Sequence, residues 1–144
     1  METYKHILLA ADYSGNSAIV EQKAKALAET YQAKLSIVHA LDDIPLPDTS
    51  YGTVIPLDEE SSEEELQSAK QQLLKTATEL GVPLQNCWLI WGSPNDEIVR
   101  IAQQQKVDLI VTGSHGRHGL ALIMGSTANS VLHHAECDVL AVRI

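Results

Sequence analysis

The chain has 144 residues, a length typical of one domain built around one hydrophobic core. Hydrophobic residues make up 44% of it and charged residues 20%, which excludes an intrinsically disordered class. The formal net charge of -9 disfavours binding to nucleic acid, because such binding requires Lys and Arg to neutralise phosphates.

The expected compartment is the cytoplasm. Residues 1–6 show no basic region followed by an apolar core, so no secretory signal is predicted. No apolar run approaches the roughly 20 residues that cross a bilayer, and we expect no membrane association. Cys87 and Cys137 are far apart in the chain, which favours reduced, packed thiols over a disulfide framework.

The first elements in the chain are a strand, a helix and a strand. Residues 6–11 form a nearly continuous apolar run, typical of a strand covered on both faces, and Asp12 ends it. A helix follows, with an apolar stripe at Val20, Ala24, Leu27 and Tyr31. Residues 35–41 predict the second strand.

A long polar stretch at residues 42–65 comes next. Its proline-containing first half predicts a surface loop, and its acidic second half predicts the start of a helix, where carboxylates favour the positive helix end. The buried stripe of this helix is predicted to be Leu66, Ala69, Leu73, Ala77 and Leu80, and Gly81 and Pro83 are expected to end it.

The remaining chain alternates strands with helices. Residues 87–91 predict a third strand, and Ser93-Pro94 predicts the start of a helix. Residues 107–112 predict a fourth strand, residues 126–134 a short helix, and residues 139–142 a fifth strand.

This alternation predicts an α/β fold, a three-layer sandwich with a five-stranded parallel sheet and helices on both faces. The rule that crossover connections are right-handed favours the strand order 3-2-1-4-5. We expect a single domain over residues 1–144, because the proline-containing loop is too short to link two domains.

A ligand site is predicted where the strand order reverses, between the first and fourth strands. The carboxyl ends of these strands carry Ala10-Ala11-Asp12 and Thr112-Gly113. The segment that follows, residues 113–119, is rich in glycine and therefore lies where the geometry of the sheet expects a ligand.

The helix that begins at Gly125-Ser126-Thr127 offers free N–H groups and two hydroxyls, a combination that suits an anion. Together with Gly113 and Gly116, this helix start predicts a site for a phosphate chain. Taken one at a time, the same residues are also explained by a strand end and a helix cap, and Asp12 by a cap on the first helix.

The segment Gly113-Ser114-His115-Gly116, followed after an interval by Gly125-Ser126, resembles the nucleotide motif of the universal stress protein family. The interval, residues 117–124, is one residue shorter than in the usual motif. Residues 7–12 and 137–142 are similar to the family's first and last strands. The resemblance covers essentially the whole chain and implies a Rossmann-like domain of the stress response.

The resemblance also implies a ligand, ATP or AMP with ADP possible, and Mg²⁺ held through the phosphates. Asp12 and the backbone of Ala40 would hold the adenine and ribose end, and Ala10 and Ala11 would contribute mostly backbone and packing. Thr112 and Gly113 would line the sugar side. The phosphates would lie against Gly116, Gly125, Ser126 and Thr127, within reach of His115 and Arg117. The family further implies a homodimer through the last strand, from Val139 to Val142, an apolar sheet edge that pairing would cover.

Three functional hypotheses follow. The first is a dimeric, nucleotide-binding regulatory module. The second is a weak ATPase that uses the same pocket, although no residue is marked as catalytic and at most slow hydrolysis is expected. The third is a dimeric interaction protein without nucleotide. A structural metal site is not predicted, because His133 and His134 are adjacent on a helix and point in different directions.

Overall fold

The computed structural model describes residues 3–13, 17–41, 53–58, 63–114 and 126–143, with the side chains of residues 126–129 outside the description. The strands are β1 His6–Ala10, β2 Lys34–Leu41, β3 Val54–Ile55, β4 Cys87–Trp91, β5 Leu109–Ser114 and β6 Asp138–Arg143. The helices are α1 Ser17–Tyr31, α2 Glu64–Leu80, α3 Pro94–Gln104 and α4 Ser126–His134, and a short 3-10 helix spans Leu84–Asn86.

The sheet has the order β3-β4-β2-β1-β5-β6, and its five long strands are parallel. These five strands reproduce the predicted order. The first strand lies at the centre, where Leu9 pairs with Ile37 of β2 on one side and with Val111 of β5 on the other. The order of the strands therefore reverses between β1 and β5, as predicted, and a crevice opens there.

The prediction of a five-stranded, all-parallel sheet was wrong in one respect. A sixth strand, β3, pairs antiparallel with β4 at the edge, and the Trp91 N–H donates to the Thr53 carbonyl at 3.1 Å. This segment lies in the stretch predicted to be a surface loop. Two residues are too few to show an alternating pattern, and β3 depends instead on pairing with β4 and on burial of Ile55.

The start of β5 also differs from the prediction. The predicted strand began at residue 107, whereas β5 begins at Leu109. The side chain of Asp108 accounts for the difference, because its carboxylate accepts the backbone N–H groups of Lys5 at 2.9 Å and His6 at 3.0 Å. Asp108 thus connects the amino ends of β1 and β5 through its side chain, and its own backbone N–H donates to the His6 carbonyl at 3.0 Å.

Two hydrophobic clusters cover the two faces of the sheet. One packs α1 and α2 against side chains such as Leu9, Ile37 and Leu89. The other packs α3 and α4 against Leu8, Val38 and Ile110. Because neighbouring residues of each central strand belong to opposite clusters, the strands are apolar on both faces, as their continuous apolar runs predicted.

His6 is a buried side chain at the amino end of the sheet, outside the predicted ligand site. Its Nδ1 donates to the Gln105 carbonyl at 3.1 Å, so the neutral ring accepts at Nε2 from the Ser36 hydroxyl at 2.7 Å. Burial lowers the pKa of His6 below its ordinary value, and the nearby charge of Lys34 adds to this effect.

We expect His6 to make the protein acid-sensitive. Because its folded-state pKa is lowered, the unfolded chain binds more protons as the pH falls below about 6.5, and stability decreases. Urea unfolding at pH 7.5 and pH 5.5 should show this loss, and His6→Gln should reduce the difference between the two pH values. An unchanged difference in the variant would show that other groups cause the acid sensitivity.

Candidate functional site

An open cleft of about 900 Å³ lies beyond the carboxyl ends of β1 and β2. Its sheet side is formed by Asp12 and Tyr13 after β1 and by residues 39–41 of β2. The beginning of α2 forms the opposite wall, and Pro94, the first residue of α3, lies at one end. The cleft lies on the β2 side of β1, whereas the strand order predicted a ligand between β1 and β5, on the other side of β1.

The backbone between β1 and Asp12 is held by two hydrogen bonds. The Ala11 N–H donates to the Val38 carbonyl at 2.9 Å, which extends the pairing of β1 with β2 by one residue. The Ala11 carbonyl accepts from Nδ1 of His39 at 2.7 Å. A carbonyl oxygen only accepts, so this nitrogen carries the proton. The two successive peptide groups before Asp12 are thus each hydrogen-bonded to β2.

Tyr13, the next residue, has a left-handed backbone with φ of 57°. Its ring meets the ring of His39 edge-on, with the centroids 4.9 Å apart. Its hydroxyl lies 2.8 Å from Oγ1 of Thr76 and 3.3 Å from the Gln72 carbonyl oxygen, both in α2. Burial raises the pKa of Tyr13 to about 12, so the phenol stays protonated near neutral pH.

A small pocket lies beside Asp12, between the ends of β1 and β5. It is lined by residues 9–12, by Gly113, and by Ser17, Val20 and Glu21 at the start of α1. Burial raises the pKa of Glu21, and the charge of Glu79 raises it further. The pocket places the carboxyl end of β1 next to Gly113, so two separate parts of the predicted site meet here.

Several predicted site residues have definite places. Ala10 is the last residue of β1 and is buried, Ala11 is half-buried, and Asp12 is exposed at the cleft. Ala40 is buried in β2 and borders the same cleft. Thr112 and Gly113 are inside β5, where they pair with Ala141 and Val142 of β6. These residues come together at the carboxyl ends of the central strands β2, β1 and β5.

The other predicted site residues are described only in part. Ser126 and Thr127 are the first residues of α4, as predicted, and their side chains lie outside the description. His115, Gly116, Arg117 and Gly125 lie outside the described residues. The structure therefore confirms where α4 begins, and a phosphate site at this helix start and the glycine loop stay predictions.

Two parts of the cleft were not predicted from the sequence. The first is the pair Tyr13 and His39, whose rings line the cleft beside Asp12. A histidine near the carboxyl end of the predicted second strand was a signal that could have identified this pair. The second is the stretch of α2 from residue 64 to residue 72, which contributes Glu64, Glu65, Ser68, Ala69 and Gln72. Only the tertiary packing of α2 on the sheet brings these residues to the site.

The cleft is acidic, because Asp12, Glu64 and Glu65 all border it. Carboxylates accept hydrogen bonds from hydroxyl and amino groups and repel phosphates. The start of α4, which follows the glycine loop, offers free N–H groups instead. The arrangement suits a ligand with hydrogen-bond donors at one end and an anion at the other.

The described residues contain neither a metal centre nor a membrane-spanning helix. In that part of the chain, no group of three or more His, Cys, Asp or Glu side chains is placed to hold a metal ion. Over the same residues, no helix combines the length and apolar character that a membrane span needs. Cys87 and Cys137 are free thiols, and burial raises the pKa of Cys87 to about 11.

The model of the universal stress protein family matches residues 3–143. The chain belongs to the universal stress protein family. It is 40% identical to universal stress protein A homolog 2 of Coxiella burnetii, over all of this chain and 98% of that protein. The universal stress protein UspA from Lactobacillus plantarum has a similar structure, with a TM-score of 0.67 and 26% identity over 99% of this chain and all of that one.

Two further family structures share the fold. One is a universal stress protein in complex with cAMP, with a TM-score of 0.68 and 22% identity over 99% of this chain and 98% of that one. The other, from Archaeoglobus fulgidus in complex with dAMP, has a TM-score of 0.64 and 21% identity over 98% of this chain and 99% of that one. At these identities the likeness concerns the fold.

Proposed function

We propose that this universal stress protein binds an adenine nucleotide, ATP or AMP, and acts as a dimeric regulatory module in the cytoplasm. The observation that carries the proposal is the meeting of Asp12 and Gly113 at the reversal of the strand order. Two family members of the same fold bind cAMP and dAMP, which supports an adenine nucleotide.

The proposed ligand lies with its base and ribose in the acidic cleft. Asp12 accepts a ribose hydroxyl, and the backbone of Ala40 borders the base. The phosphates extend from Gly113 towards Ser126 and Thr127 at the start of α4, and Gly116, Gly125, His115 and Arg117 complete their surroundings. This orientation separates the phosphates from Glu64 and Glu65, which would repel them. Mg²⁺ accompanies the phosphates.

The proposed homodimer uses the strand β6. This strand lies at the edge of the sheet and pairs with β5, and its residues from Val139 to Ala141 are half-buried. Pairing with the β6 strand of a second copy would satisfy its outer backbone groups and cover these side chains. Light scattering should give the mass of two chains, and the mass of one chain would contradict the dimer.

Titration calorimetry with ATP, ADP and AMP in the presence of magnesium tests the nucleotide site. The wild-type protein should bind saturably after copurified nucleotide has been removed. Gly116→Val/Gly125→Val should abolish this binding, because side chains at the glycine positions block the approach of phosphates to the backbone.

The control variant is Gly81→Val, which adds the same side chain at the far end of α2, away from the cleft. Gly81→Val should bind the nucleotides with the affinity of the wild type. Absence of binding by the wild type would contradict the proposal and favour a dimeric interaction protein without nucleotide. Sustained ATP turnover that is lost in Asp12→Ala or His115→Ala would instead favour the ATPase.

A further inference from the structure

The side chains of Thr76, Tyr13 and His39 form a continuous chain of contacts from α2 to the Ala11 carbonyl. We propose that this group, the Thr76–Tyr13–His39 relay, positions Asp12 for the ribose of the nucleotide and couples the site to α2. The inference rests on the proposed function.

The strained backbone of Tyr13 is the first observation. A bulky residue at φ of 57° is a conformational outlier that persists only where its surroundings hold it. Here the surroundings are the ring of His39 on one side and the Gln72 carbonyl and Thr76 hydroxyl on the other. The contacts of Tyr13 therefore determine the direction in which the chain leaves Asp12.

The second observation is the hydrogen bond from His39 to the Ala11 carbonyl. At 2.7 Å it holds the peptide group immediately before Asp12, and the edge-on Tyr13 ring leaves the imidazole little freedom to rotate. Asp12 is thus preceded by a peptide that His39 holds and followed by a residue that α2 holds. The relay therefore fixes the positions of both neighbours of Asp12, the residue proposed to bind the ribose.

The third observation concerns the helix at the far end of the relay. Thr76 is buried, and its hydroxyl donates to the Gln72 carbonyl at 3.0 Å, so its oxygen accepts the proton of the Tyr13 hydroxyl at 2.8 Å. One turn before Thr76, Gln72 borders the cleft, as do Glu64, Glu65 and Ser68 at the start of the helix. A shift of α2 would therefore be transmitted to Asp12, and the occupied site would in turn hold α2.

The helix α2 contains a matched control. Thr76 and Thr78 both donate their hydroxyl to the carbonyl four residues earlier, at 3.0 Å and 2.9 Å. Thr76 is buried against Tyr13, whereas Thr78 is exposed. Replacing each with Val makes the same change in the same helix, but only Thr76→Val removes a contact of the relay. Tyr13→Phe tests the opposite side of that contact.

Affinity for ATP and for 2',3'-dideoxy-ATP, which lacks both ribose hydroxyls, gives the first readout. We expect Thr76→Val and Tyr13→Phe to weaken ATP binding about 5-fold or more and to affect the dideoxy compound much less. Thr78→Val should change neither affinity. Equal weakening of both ligands, or no weakening, would overturn the inference, because a role in overall stability does not distinguish the ribose hydroxyls.

Amide spectra of the ligand-free protein give the second readout. Thr76→Val should shift the amide resonances of Ala11 and Asp12, which are distant in sequence, and Thr78→Val should not. Equal shifts in the two variants would overturn the relay whether or not a nucleotide binds. A wild-type protein that binds no nucleotide would overturn the proposed function and the ribose role, while the amide shifts would still decide the coupling to α2.

Discussion

Replacement of Gly92 by Ala is expected to lower the free energy of unfolding by about 3 kcal/mol. Gly92 lies between β4 and α3, with φ of 152°, and its N–H donates to the Leu41 carbonyl at the end of β2. A Cβ at this position would lie 2.7 Å from Cγ of Glu97, a side chain that is itself buried and paired with Arg100. Backbone strain at this φ and steric overlap with Glu97 therefore both contribute to the loss of stability.

Three further variants, Glu97→Ala, Gly92→Ala/Glu97→Ala and Gly81→Ala, separate these contributions. In the Glu97→Ala background the overlap is absent, so Gly92→Ala should lower the free energy of unfolding by less than it does in the wild type, leaving the cost of the backbone. Gly81→Ala, at φ of 71° with no atom within 4 Å of the new Cβ, should cost about 1 kcal/mol. Chemical denaturation of the wild type and of the four variants measures these differences. A loss at Gly92 no larger than the loss at Gly81 would contradict the predicted overlap.

Leu73→Ala is the second substitution with a large expected effect, a loss of about 3 kcal/mol in the free energy of unfolding. Leu73 is fully buried in the cluster that α1 and α2 form on the sheet. Removing three carbons there deletes apolar burial and leaves a cavity, because the helix cannot close onto the sheet without moving Ala69 and Ala77 as well.

The matched control is the neighbouring Leu74→Ala, since Leu74 is only half-buried. It should cost well under half as much, because truncating a side chain that faces partly to solvent leaves no enclosed cavity. Thermal and urea unfolding of the two variants provides the comparison. Equal losses would mean that α2 packs on the sheet through a different face.

The amino-acid sequence by itself determined the order of the long elements. Continuous apolar runs marked the five parallel strands, since a strand covered on both faces needs apolar residues at every position. The stripe of α2 was also readable, although Leu66 proved to be only partly buried. Gly81 ended this helix in the left-handed conformation, as the sequence predicted. These features depend on local patterns, which a single sequence contains.

Part of the candidate site was equally visible. Asp12 and Gly113 follow predicted strands, and the reversal of the strand order brings the ends of those strands together. The glycine motif then identified the family through local sequence alone. Ligand sites at such positions can be predicted because the topology of the sheet, rather than any detail of packing, determines where the strand ends meet.

Only the tertiary structure decided the rest. The two-residue β3 depends on pairing with a strand more than 30 positions away, the separation of Val54 from Ile90, and no local pattern records that partner. Likewise, the contact of Tyr13 with Thr76 spans 63 positions and arises because α2 packs beside the end of β1. Non-local contacts of this kind are products of packing, so the walls of the cleft became visible only when the helices lay on the sheet.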